Sequence, residues 1–162
     1  MKTQSAILIT LLTVALPVVA ADEKPIAGPK GGKILNTDSP RTEFFVEKDH
    51  TVTISFYGAD MKPVPAGDQT AVIWADAKSG RVKLETERKG DALVSKTPLP
   101  EGDGYNVMVQ LKAKPDAKAE NFKITYHTEA CPECKRAEYA CICPPEKEHS
   151  HDHKPGEKEH KH

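Results

Sequence analysis

No cysteine precedes Cys131, so the stretch from about Asp22 to His127 has neither disulfides nor thiolate metal sites and must fold on apolar burial alone. An excess of one charge is missing too. Lys+Arg 23 stand against Asp+Glu 24, which leaves no basic surplus for a phosphate backbone and excludes nucleic acid as a partner. Long apolar runs are absent apart from Ala6 to Leu16. That run is shorter than the roughly 20 residues that cross a bilayer, and Pro17 interrupts its end. With Lys2 ahead of it and Val18, Val19, Ala20 and Ala21 behind, it reads as a secretory signal peptide, residues 1–20, cut after Ala20 or Ala21. The mature chain is therefore expected in the periplasm or secreted, with no membrane span after cleavage. No cysteine at the cleavage site suggests a lipid anchor. The remainder is long enough for one domain with a real core.

What is present is a period-two pattern. Val52, Ile54 and Phe56 alternate with Thr51, Thr53 and Ser55, and the alternation returns at Tyr105, Val107, Val109 and Leu111 and again at Phe122, Ile124 and Tyr126. Glu43 to Glu47, Thr70 to Ala75, Arg81 to Arg88 and Ala92 to Lys96 add further strands. Lys89-Gly90-Asp91 links the last two as a hairpin, and Met61 to Asp68, with Pro63, Pro65 and Gly67, reads as a loop. Convincing amphipathic helices are lacking. This predicts an all-β fold, an antiparallel immunoglobulin-like β-sandwich of about seven strands over residues 21–127, with a closed barrel as the second choice. Trp74, the only tryptophan, is expected to fill the core rather than to serve as a stacking platform. His50 and His127 read as solvated turn and strand-end residues. The chain carries no catalytic triad order, no recognisable carboxylate pair and no phosphate loop, and an enzyme is not expected.

Gly28-Pro29-Lys30-Gly31-Gly32-Lys33-Ile34-Leu35, followed by Glu43-Phe44-Phe45-Val46 and Lys62-Pro63-Val64, resembles the small β-domain near the N-terminus of heavy-metal efflux adaptor (membrane-fusion) proteins. It is also similar to small exported bacterial proteins that carry this domain alone with a metal-type tail. The resemblance covers Gly28 to His127. It departs from the adaptors in leaving no room for their helical hairpin, lipoyl-like and barrel domains. What it implies is an association with metal handling, and a heavy-metal efflux complex as a partner.

All sulfur and most imidazole chemistry falls at the C-terminal end. Cys131, Cys134, Cys141 and Cys143 give the spacing Cys-x2-Cys-x6-Cys-x-Cys over residues 128–145. A Cys-x2-Cys turn places two sulfurs around one tetrahedral ion and Cys-x-Cys supplies a second pair, which suits Zn²⁺ with four thiolates or Cu(I) with fewer. Lys135 and Arg136 would offset the charge of such a site. An oxidising compartment favours disulfides instead, and a link between the two pairs is then preferred over a strained Cys141–Cys143 bridge. Residues 146–162 carry His149, His151, His153, His160 and His162 among acids and lysines, a composition expected to be disordered. Histidine-rich tracts of this kind bind Zn²⁺, Cu²⁺ or Ni²⁺, against the bland alternatives of a solvated tail or a tag. The expectation is an exported, non-enzymatic protein that buffers or hands over a transition metal ion, Zn or Cu. The alternative is an interaction module closed by disulfides.

Overall fold

The computed structural model describes residues 25–144. Nine strands form one continuous antiparallel sheet. They are β1 (Lys33–Ile34), β2 (Arg41–Val46), β3 (Val52–Tyr57), β4 (Pro63–Val64), β5 (Thr70–Ala77), β6 (Gly80–Lys89), β7 (Ala92–Ser95), β8 (Tyr105–Lys112) and β9 (Glu120–Tyr126). A single 3-10 turn, Glu138–Ala140, follows. Among the described residues no helix is long and apolar enough to cross a membrane. The signal peptide and the histidine-rich tail lie outside the described residues.

The seven strands expected from alternation are all present, and two strands of two residues each, β1 and β4, join them. Along the sheet the order is β1-β2-β3-β7-β6-β5-β8-β9, with β4 beside β3. An immunoglobulin-like sandwich would consist of two separately bonded sheets. Here a single long strand bridges both halves. The first part of β6 pairs with β5 (Val82 opposite Ala75, Leu84 opposite Ile73), and its last part pairs with β7 (Thr86 opposite Ser95, Lys89 opposite Ala92). Lys89 and Ala92 face each other across Gly90 and Asp91, so the expected hairpin closes on a two-residue turn, and Gly90 takes the positive φ that such a turn requires.

The inner face follows the alternation. Phe44, Val52, Ile54 and Phe56 from one half meet Ile73, Leu84, Val107, Val109, Ile124 and Tyr126 from the other, all essentially without solvent exposure. The expectation that Trp74 fills this core is corrected. Ala71, Ile73 and Ala75 point inward, so the pleat turns Trp74 to the opposite face. There its indole N–H donates to Gln110 Oε1 at 3.0 Å and the Arg81 guanidinium lies 4.9 Å over the ring. The aromatic anchors of the core are instead Phe44, Phe56, Tyr105, Tyr126 and, from beyond the strands, Tyr139.

The outer face of β2 and β3 is covered as well. Glu43 is fully buried there, and its carboxylate accepts from the backbone amides of Lys30 (3.0 Å) and Gly32 (2.8 Å) and from the Tyr57 hydroxyl (2.7 Å). The glycines of the Gly28–Gly32 loop are what permit this approach. A Cβ on Gly28 would collide with the Glu43 carboxylate, and one on Gly32 with the Phe44 carbonyl.

Candidate metal centre

The chain after β9 turns back onto the sheet rather than leaving it. Thr128 is caught by Asp103, whose carboxylate accepts the Thr128 amide at 2.7 Å and contacts His127 Nδ1 at 2.8 Å. Two further amides follow, Glu138 N–H to the Glu129 carbonyl (2.8 Å) and Tyr139 N–H to the His127 carbonyl (3.1 Å). Tyr139 then enters the core edge-on to Phe44, with ring centroids 5.8 Å apart, and beside Tyr126 at 5.7 Å. Its hydroxyl accepts the Val46 amide at 3.1 Å. Residues expected to form a segment apart from the β-domain thus contribute Tyr139 and Ala140 to the core cluster itself. The only aromatic residue between His127 and Pro144 is the one that does this, and that was the available signal.

Within this docked segment, Ala130 and Ala137 bridge antiparallel and enclose the turn Cys131–Arg136. The Cys131 amide donates to the Arg136 carbonyl (2.7 Å) and the Lys135 amide to the Cys131 carbonyl (2.9 Å), while Lys135 holds φ at 59°. The sharp reversal brings Cys131 and Cys134 to the same side. The 3-10 turn delivers Cys141 and Cys143 opposite them, the Cys141 amide closing on the Glu138 carbonyl at 3.1 Å. Arg136 fastens the turn to the glycine loop through its guanidinium, 3.3 and 3.4 Å from the Gly28 carbonyl. The site is therefore braced from two sides, by the loop that caps Glu43 and by a core tyrosine.

All four sulfurs lie within 4.8 Å of one another. The Cys131–Cys141, Cys131–Cys143 and Cys134–Cys141 separations are 3.5, 3.7 and 3.8 Å, and all four cysteines are free thiols. A disulfide needs about 2.0 Å. Four sulfurs at about 2.3 Å from a tetrahedral ion stand about 3.8 Å apart. The three measured separations match the edge of that tetrahedron, and the four cysteines are positioned to bind a metal ion. Cys131 is buried, and the other three are half-exposed.

The thiols share charge unevenly. The backbone amides of Ile142 and Arg136 point at Cys134 and draw it down to about 6. Cys143 is pushed up, first by the hydrogen bond with Cys141 and then by desolvation. Cys141 is raised as well: the Cys143 amide, its largest single influence, pulls it down, but desolvation and the contacts with Cys131 and Cys134 outweigh that pull. Such a set carries one thiolate readily and resists the next. A cation in the centre removes that resistance, so metal binding displaces protons.

Of the residues singled out from the sequence, the four cysteines are brought together. His149, His151, His153, His160 and His162 lie outside the described residues. His50 sits at a turn with φ of 63°, and His127 sits at the end of β9 against Asp103. Comparison with known proteins adds no relatives: the chain matches no protein-family model, no curated protein and no solved structure.

Proposed function

We propose that this chain is an exported, non-enzymatic metal-binding protein whose Cys131, Cys134, Cys141 and Cys143 hold one Zn²⁺ as a tetrathiolate. The observation that carries the reading is the cluster of four free thiols with separations of 3.5 to 3.8 Å. Four donors at tetrahedral spacing favour Zn²⁺ over Cu(I), which is satisfied by fewer thiolates. The two halves of the curled sheet serve as the sandwich-like scaffold. His149, His151, His153, His160 and His162 act as a weaker, faster-exchanging collector that begins only six residues past Cys143 in sequence, and a heavy-metal efflux complex is the recipient that the sequence resemblance suggests.

The test is elemental analysis of full-length protein purified from its native compartment without nickel affinity, with thiols counted by alkylation before and after chelation. The expected result is one zinc per chain, with four thiols protected until a chelator removes the metal. Thiols that stay protected after chelation but open to a reductant would establish disulfides and overturn the tetrathiolate.

A further inference from the structure

On the other flank of the Cys131–Arg136 turn lies a cleft of about 440 Å³ that none of the four cysteines lines. Five residues with cationic or imidazole side chains reach it from three separate parts of the chain: Lys30 from the glycine loop, Lys48 and His50 from the turn between β2 and β3, and Lys135 and Arg136 from the cysteine turn. The single carboxylate on its wall, Glu47, is held by the Thr53 hydroxyl at 2.8 Å. Elsewhere four lysines meet acids, Lys62 with Asp60, Lys83 and Lys96 with Glu85, and Lys89 with Glu87, while among the described residues Lys114, Lys118 and Lys123 show no ion pair; what sets the cleft apart is that its cations gather in one place. Among the described residues, none of the five around the cleft forms an ion pair. Phe45, turned outward from β2, and the buried Tyr139 also line the cleft. In a chain of net charge −1, this concentration of unpaired positive charge is local, since the overall balance would not produce it.

We propose that this cleft binds a small organic anion carrying two or more carboxylates around an apolar body. The cations at the rim meet the carboxylates from several directions, and Phe45 gives the body a surface to lie on. The volume admits a small-molecule ligand. Because the sulfurs do not line the cleft, the proposal stands apart from the metal reading.

The probe is benzene-1,3,5-tricarboxylate, a rigid ring with three separated carboxylates, titrated calorimetrically into the full chain at low and at physiological salt, with benzoate as the single-carboxylate reference. Saturable one-to-one binding at least tenfold tighter than benzoate is expected, falling at least tenfold in Lys30→Glu/Lys48→Glu. The double variant Lys118→Glu/Lys123→Glu makes the same change in net charge at exposed lysines away from the cleft, and it should bind as the parent does. Since Lys30 and Lys48 are both exposed, the fold should survive, and unchanged thermal melting checks this. Should the Lys30/Lys48 variant melt early, the neutral Lys48→Gln alone should still weaken binding severalfold. Non-saturable binding, equal affinity for benzoate, or equal losses in the two double variants would overturn the proposal.

Discussion

At Glu43 two amides of the glycine loop and a tyrosine hydroxyl from β3 converge on one buried carboxylate, and the side chain organises the loop that later receives Arg136. Glu43→Ala leaves two backbone amides and a tyrosine hydroxyl without an acceptor, a loss of roughly 3 kcal/mol or more by the ordinary cost of unsatisfied buried donors. Glu43→Gln retains acceptor capacity and should lose less. Urea midpoints of the two variants, compared at equal slope, check the order. Asp103 provides the pH response. The Thr128 amide first, then His127, hold its carboxyl below the ordinary value near 3.8. A depressed acid contributes stability that is fully present above the unfolded value and disappears as pH falls through the folded one. The Thr128 anchor is therefore expected to be intact above about pH 4 and to loosen below it. Asp103→Asn should flatten that acid limb, as followed by protection of the Thr128 amide against hydrogen exchange.

Among the elements, the strands were legible because a half-buried strand writes its two faces into alternate residues, and the order of polar and apolar side chains in β8 and β9 leaves one choice of face. The elements that escaped are those with no room for a period. β1 and β4 are two residues long. Trp74 was misplaced because size argued for the interior, whereas register set by Ile73 and Ala75 decided the matter. Glu43 reads as an outward strand residue, which it is. That the outward face is itself covered depends on the Gly28–Gly32 loop folding over it, a contact between residues 11 to 13 positions apart that no local pattern encodes. Spacing left a four-sulfur site and disulfides as rival readings, and the separations of 3.5 to 3.8 Å between free thiols, which spacing does not encode, are compatible with the first. The attachment of the cysteine segment to the sheet was not legible either. Tyr139→Ala should cost about 3–5 kcal/mol through the cavity it leaves, and Tyr139→Phe about 1 kcal/mol through the lost Val46 hydrogen bond. A chain ending after Thr128 should melt well below the parent, because the face of Phe44 and Tyr126 loses its cover.

For the whole molecule, the cysteine cluster and the core share Tyr139 and the Gly28–Arg136 link, so an ion held by the sulfurs is expected to stabilise the sheet as well. Zinc should raise the melting temperature of the reduced protein by several degrees, and the gain should shrink as pH falls, because protons compete for the thiolates. Cys134→Ser and Cys141→Ser should each abolish the gain, while His149→Ala/His151→Ala/His153→Ala should keep it and lower only the total metal bound near neutral pH. Scanning calorimetry with and without zinc separates these outcomes. The docking of Tyr139 also sets a timetable. A chain emerging from a ribosome or a membrane pore presents β1 to β9 before the residue that completes their core, so the sheet waits, open on one face, until the last turn of sulfurs arrives. Completion of the core and assembly of the four sulfurs are thereby expected late in synthesis, in the same step.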